Sequence, residues 1–493
     1  MEFNLVYGRS GTGKSEYIYK KIAENVGKEK IFLIVPEQAN LSAERKLFEV
    51  TGKESLIDVE VLTLSRMAYR VNNSKELHLS KAGKNIIIYD LLDKEKENLK
   101  FLGKSEKNID TVNKVFTELK KHNIGLQNFE GLEIRDDYLK YKMQDVKLLY
   151  ESYENRIKNL YIDENDELTL LAQNLENTNE YDGASFFIDE FLGFTSQEYS
   201  VFSKLLEKAK SITCAICIDS LEFDKSKEND IFYFNKEFAN KLIEIAENKG
   251  SKINKIFLKD LVKYKNSELI HLEKSLSGKY SEFEGTPDEI KIFYAANVYQ
   301  EIEYIAKEIY DLVKNNGYRY REIGIISENL DGYKENIKSI FRKYEIPIFV
   351  DDKKAVNQNL LVRFVSYLLD ILSNNWSFES VFNYLKVGLL DISDEDIYKL
   401  ENYCLKWGIK GSKWYNRKFD YEEVNDQQEQ LEIIREKIVS SILDFKNKVY
   451  ENKTGYQISK EIYYFIINNH INEKLDLKEW EWVDFNYRLS IQG

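Results

Sequence analysis

Eight residues near the start of the chain leave little freedom in how its first domain folds. Gly8-Arg9-Ser10-Gly11-Thr12-Gly13-Lys14-Ser15 fits the pattern G-x-x-x-x-G-K-S/T in full. An apolar run, Phe3–Tyr7, precedes it, and a helical pattern follows from Lys14 to about Val26. The chemistry needs these residue types. Glycines let backbone N–H groups curl around a phosphate, a Lys at this position neutralises β/γ oxygens, and the Ser hydroxyl can ligate Mg²⁺. The helix N-terminus adds favourable dipole charge. The bland alternative is a Gly-rich turn that binds nothing. The complete motif, between a strand and a helix, favours a nucleotide site with ATP and Mg²⁺ as its ligands.

The same alternation continues downstream. Ile31–Val35 and Val59–Leu62 read as further strands, and short apolar runs of this kind fit a parallel sheet buried on both faces. Helical patterns dominate from Ser80 to about Asn177, with Tyr138–Asn159 the clearest. Strand signals return at Ala184–Ile188 and Ser211–Ile218. Gly278–Pro287 reads as a linker. A second α/β pattern follows, with strands expected at Ile290–Tyr294, Ile323–Ser327 and Ile346–Val350 and helices at Gln300–Lys314 and Tyr333–Tyr344. From about Leu360 the pattern is helical. The expected layout is a first P-loop domain over 1–280, carrying a helical insertion at about 80–178. The start of a second such domain covers 281–358, and a helical subdomain covers 359–493.

Composition removes several function classes. The 493 residues carry 71 Lys+Arg against 84 Asp+Glu, a net charge of −13 that argues against a chain coating nucleic acid by bulk charge. Three cysteines cannot build a disulfide framework and suit a reducing cytosol. His78, His122, His271 and His470 stand apart, with no Cys or His at ligand spacing, so a zinc site is not expected. No apolar run approaches the roughly 20 residues of a membrane span, and the N-terminus lacks the pattern of a secretory signal.

A nucleotide loop needs a carboxylate on its metal side. Phe186-Phe187-Ile188-Asp189-Glu190 is an apolar strand ending in two acids. Asp189 is the expected partner of Mg²⁺ beside Ser15, and Glu190 the group able to polarise an attacking water. Other candidates weigh less. Cys214 and Cys217 have redox or metal spacing, but they lie in a strand pattern without a second pair, which favours core cysteines. Thr63, Ser65 and Arg66 follow the third strand and face either a phosphate or plain helix capping. Tyr318-Arg319-Tyr320-Arg321 interleaves rings and charges as single-strand binders do, yet a solvated loop explains it more simply. The acidic run Tyr421–Glu436 reads as a solvated helix face.

Taken in order, these residues resemble a known family. The set comprises the loop at residue 8, Val35-Pro36-Glu37-Gln38, Val61-Leu62-Thr63-Leu64-Ser65-Arg66-Met67-Ala68, Ile188-Asp189-Glu190-Phe191 and Gly193-Phe194-Thr195-Ser196-Gln197-Glu198. It continues with Tyr344-Glu345-Ile346-Pro347-Ile348-Phe349-Val350-Asp351, Leu400-Glu401-Asn402-Tyr403, Gly408-Ile409-Lys410-Gly411 and Trp414. It looks like the AddB subunit of the bacterial ATP-dependent helicase/deoxyribonuclease AddAB, across the whole chain. The resemblance implies two RecA-like, superfamily 1 helicase-like parallel-sheet domains with large helical insertions, and a cytoplasmic heterodimer with AddA. It also implies action on double-strand ends in recombinational repair, recognition of Chi in single-stranded DNA, and a C-terminal nuclease domain with a 4Fe–4S cluster. Carried over, Gly8–Ser15 bind the nucleotide and Asp189 and Glu190 are the metal-side acids.

The departures shape the expectation further. Only seven residues precede Gly8, so an upstream adenine-reading Gln motif has no room, and Gln38 lies elsewhere. Ile218-Asp219-Ser220-Leu221 lacks the Gln of a motor's sensor, and no Arg follows Ile325-Ile326. ATP binding with weak or no hydrolysis is therefore expected. The alternative is an autonomous P-loop ATPase that hydrolyses through Glu190, an acid that many AddB chains lack. The cluster cysteines, nuclease motif and later helicase motifs are not found by residue 493, so the chain reads as a helicase-like portion without nuclease activity.

Overall fold

The computed structural model describes residues 1–477, apart from 54, 73–76, 103–105, 132–134, 227, 277–280, 351–355, 357–358, 421–425 and 453. Part of the expected linker, Asp351 and the first part of the acidic run therefore lie outside the described residues. The chain divides into two units, Met1–Phe293 and Tyr294–Gly493.

Unit 1 is built on strands β1 (Glu2–Gly8), β2 (Ile31–Ile34), β3 (Val59–Leu62), β4 (Leu77–Leu79), β5 (Tyr161–Asp163), β6 (Ser185–Ile188), β7 (Ser211–Cys217) and β8 (Lys252–Phe257). Six of them form one sheet in the order β3-β2-β6-β7-β1-β8, and β4 pairs with β5 alone. Every pairing is parallel. Its helices are α1 (Lys14–Asn25), α2 (Asn40–Thr51), α3 (Leu64–Val71), α4 (Lys81–Lys94), α5 (Glu106–Lys121), α6 (Asp137–Ile157), α7 (Glu167–Asn174), α8 (Ser196–Lys208), α9 (Tyr233–Asn248) and α10 (Ser267–Ser275).

Period-two alternation in the central strands sorts side chains onto two faces. Phe3, Leu5, Phe32, Ile34, Phe186, Ile188, Ile212 and Cys214 point into a core closed by α3, α7, α8 and α9. Ile31, Leu33, Val35, Phe187 and Ala215 point the other way, against Ile18, Tyr19 and Ile22 of α1 and Ala43 and Leu47 of α2. Both faces are dry, which is why these strands read as continuous apolar runs. β8 is an edge strand whose residues are half-buried or exposed; it carries no such run, and the sequence predicts no strand there. Local chemistry sets the helix starts. Thr195 and Glu198 form a reciprocal capping box at α8. The helices α4, α5 and α6 share a separate core of Ile88, Leu92, Phe116, Leu149 and Tyr153, so the helical insertion has its own interior.

Unit 2 holds α11 (Val298–Lys314) and α12 (Lys334–Lys343), which pack through Ile302, Ala306, Ile337 and Phe341. It continues with α13 (Leu360–Ser373), α14 (Phe378–Leu385), α15 (Asp394–Trp407), α16 (Lys413–Asn416), α17 (Asp426–Glu451), α18 (Gly455–Asn468) and α19 (Ile471–Leu477). These surround Trp376, Trp414, Phe364 and Phe382. The second parallel sheet departs from expectation. Residues 290–294, 323–327 and 346–350 make no strand, and among the described residues unit 2 contains none. A strand exists only where a neighbour takes its backbone hydrogen bonds. These segments have no such neighbour among the described residues, and Tyr294, Ile326 and Phe349 stand 90%, 99% and 89% exposed.

Candidate functional site

The loop leaves β1 at the C-terminal edge of the sheet and feeds directly into α1. Gly11 and Gly13 have φ of 78° and 81°, a region that L side chains avoid, so glycine is required at both. Gly13 is the residue before α1, which turns the first N–H groups of the helix toward the loop. Thr12 donates its hydroxyl to the Arg9 carbonyl at 2.9 Å, and the Lys14 ammonium reaches the same carbonyl at 2.7 Å.

Only β7 separates β1 from β6 in the sheet. The acids that follow β6 therefore emerge from the same edge as the loop, 174 residues downstream of Ser15. Asp189 is 4% exposed. Burial pushes its carboxyl above the ordinary range, against the Ser15 hydroxyl, the Glu190 N–H, Lys46 and Lys14. Oδ1 accepts the Glu190 N–H at 2.9 Å, whereas Oδ2 is buried without a hydrogen-bond partner. A buried carboxylate oxygen left this way costs free energy until something fills its lone pairs. An oxygen-only anionic pair such as Ser15 and Asp189 suits a hard divalent cation. Burial also lowers the Lys14 ammonium, opposed first by Cys217 and then by Asp189.

Glu190 adopts φ 66°, an unusual conformation for a residue with a side chain. Burial and then the Asp189 charge raise its carboxyl, opposed by Lys46. It lines a groove of about 440 Å³ with Pro36, Gln38, Ala39, Ser42 and Phe191. Gln38 thus shares a groove with Glu190, a placement its distance in sequence conceals.

The remaining candidates separate. Thr63 caps α3 by accepting the Arg66 N–H at 3.2 Å, so the capping alternative holds for it. Arg66 is largely exposed and 3.9 Å from Glu44. Arg319 is tied to Glu322 within its own turn, which spends the charge locally. Cys214 is buried in the core, but Cys217 is half-buried opposite Gly8 in the register and faces Lys14, so it is not a plain core residue.

Sequence reasoning missed the residues packed on the loop from outside. After β8, the backbone N–H groups of Val262 and Lys263 donate to the Gly11 carbonyl at 2.9 and 3.1 Å. The Tyr264 hydroxyl lies 2.9 Å from the Ser10 hydroxyl, and a Cβ on Gly11 would collide with the Tyr264 ring. Arg9 pairs with Glu273 of α10 at 2.8 Å. No local signal marks a contact 264 residues away in sequence.

The family described as "ADDB, N-terminal" matches residues 5–273, more than half of the chain. A Clostridium botulinum (Loch Maree) protein named as an ATP-dependent helicase/deoxyribonuclease subunit is 36% identical over 507 residues, covering 96% of this chain and 44% of that protein. Proteins of the same name from Clostridium tetani and Acetivibrio thermocellus are 35% and 34% identical, over 98% and 97% of this chain and 45% and 44% of theirs. The chain spans a little under half the length of these relatives. With a glycine-rich loop and two acids at one edge of a parallel sheet, and a family match over residues 5–273, the chain belongs to the AddB family.

Proposed function

We propose that this chain is the nucleotide-binding, DNA-engaging, helicase-like part of an AddB subunit, working with AddA in the cytoplasm on double-strand ends and on single strands carrying Chi. The observation that carries the nucleotide reading is the orphaned Oδ2 of Asp189 on the edge that holds the loop. Gly8, Arg9, Ser10, Gly11, Thr12, Gly13, Lys14 and Ser15 would hold the phosphates of ATP, and Ser15 with Asp189 would hold Mg²⁺. Bound there, the cation would offset phosphate charge. The loop N–H groups and the start of α1 bind the anion, and Lys14 supplies a mobile cationic group. The partner subunit and DNA are the reading that the names of the relatives support. The second RecA-like domain and the 4Fe–4S nuclease domain rest on the resemblance of the sequence motifs alone; the described residues of unit 2 form no strand. No helix among the described residues is long and apolar enough to cross a membrane.

The test is a melting experiment with Mg²⁺ and ATP. At a ligand concentration of 100 Kd the wild type gains about 2.7 kcal/mol, and Lys14→Ala gains nothing. An equal shift in the variant would remove the loop from the assignment.

A second reading, an autonomous ATPase, has one observation in its favour. Glu190 is held in a strained backbone conformation beside Asp189, and such strain concentrates at functional positions. Brisk DNA-stimulated phosphate release by the wild type, abolished in Glu190→Gln, establishes this reading. Equal slow rates in both favour a binding subunit that is inactive as a motor.

A further inference from the structure

The segment that follows β8 packs on the phosphate loop at one end and on the chain leading out of unit 1 at the other. Residues 258–275 run across the mouth of the loop. The Leu258 N–H continues the β1 pairing by donating to the Tyr7 carbonyl at 2.8 Å. Val262 and Lys263 then donate to Gly11, and Val262 packs on Gly13. Tyr264 covers Gly11 and meets Ser10. The segment ends in α10, where Glu273 takes the Arg9 guanidinium on a carboxylate oxygen, and the Glu273 backbone carbonyl takes a second guanidinium nitrogen.

Two features make this closure reversible. The Glu273 carboxylate stands where an anion belongs, on the guanidinium of a phosphate loop. A guanidinium fork satisfied by one carboxylate offers less to a phosphate, and the two anions repel. The second oxygen, Oε2, is buried without a hydrogen-bond partner, so the closed state leaves part of its own carboxylate unsatisfied. The other end of α10 is tied elsewhere. The Glu268 carboxylate accepts the N–H groups of Asp288, Glu289 and Ile290 at 2.8, 3.1 and 3.1 Å. One helix therefore carries two carboxylates, one holding the loop and one holding the chain just before unit 2.

We propose that residues 258–275 form a nucleotide-displaced latch. The triphosphate of a nucleotide replaces Glu273 on Arg9, the strap lifts from Gly11, and through Glu268 the start of the connection to unit 2 is freed. This rests on the reading of Gly8–Ser15 as a nucleotide site, and it adds how occupancy of that site is sensed.

The experiment reads amide hydrogen exchange of the wild-type chain with and without saturating ATP–Mg²⁺, together with binding of a fluorescent (mant) ATP to wild type and Glu273→Gln. Exchange at Val262 and Lys263 is expected to accelerate with ATP, and exchange at 288–290 with it. Glu273→Gln is expected to bind mant-ATP roughly ten-fold tighter, the worth of one charge-assisted hydrogen bond removed from competition. Binding by the variant but not by wild type also supports the latch. Unchanged or slowed exchange at Val262 and Lys263, with equal affinities, overturns it while leaving the nucleotide site intact. Acceleration there without change at 288–290 overturns the coupling to unit 2. Failure of both chains to bind mant-ATP overturns the site and the latch together.

Discussion

Of the buried aspartates of unit 1, two stand in opposite circumstances. Asp163, at the end of β5 in the helical insertion, is fully buried and fully answered. Lys84 lies 3.0 Å away, the Tyr153 hydroxyl donates at 2.8 Å, and Asn165 donates from its backbone at 3.0 Å and its side chain at 2.9 Å. Lys120 joins at 3.7 Å while also holding Glu154 and Asp166. Burial works against the charge of Asp163, but Lys120 and Lys84 prevail and hold its carboxyl below the usual range. Asp189 is nearly as buried, its carboxyl is raised, and one oxygen has no hydrogen-bond partner. A buried charge with every lone pair occupied fixes a fold, while one left short has capacity to spare for a ligand.

The largest expected effect is at Asp163. Asp163→Asn keeps the shape but strips the countercharge from Lys84, and should cost about 3–5 kcal/mol in urea unfolding. A depressed carboxyl contributes stability that is present above its unfolded value and lost as pH falls through the folded one. The gap between wild type and variant should therefore close below about pH 4. A loss under about 1 kcal/mol at pH 7 would end the contrast between the two aspartates.

Asp189→Asn should go the other way. Removing an under-satisfied buried charge should stabilise the nucleotide-free chain by about 1–2 kcal/mol, while ATP loses its Mg²⁺-dependent melting shift. A raised carboxyl binds more protons folded than unfolded, so wild-type stability falls as pH climbs through the raised value. The variant's advantage should appear above about pH 4 and vanish below it. Destabilisation at pH 7 would mean that Asp189 is structural, like Asp163. The smallest effect belongs to its neighbour. Glu190→Gly relieves the positive φ and should add about 0.5–1 kcal/mol, read as a small rise in the melting temperature.

The legible parts of the fold are those whose signals are local and dry. β1, β2, β3, β6 and β7 match their expected bounds within a residue or two, because strands buried on both faces leave unbroken apolar runs. The helix from Lys14 and the long one at Asp137–Ile157 are legible from their period. β8 is not, being a half-solvated edge. Residues 323–327 and 346–350 have the apolar character of strands without a partner among the described residues, and character alone does not make a ladder. The cluster around Asp163 leaves no trace in sequence, since its lysines come from two helices and look like any surface lysine until packing buries them.

The glycine-rich loop needs little beyond its own residues. Gly8 to Ser15 are contiguous, their backbone demands are met by their own glycines, and the flanking strand and helix follow from adjacent residues. What surrounds that loop is a tertiary matter. The order β6-β7-β1 brings Asp189 to the same edge, the chain after β8 carries Tyr264 and Glu273 over the mouth, and Glu268 ties the result to the chain ahead of unit 2. Backbone conformation is set by near neighbours, whereas strand order and burial are settled by the packing of the whole sheet. Residues hundreds of positions apart acquire their charge partners only once that packing exists.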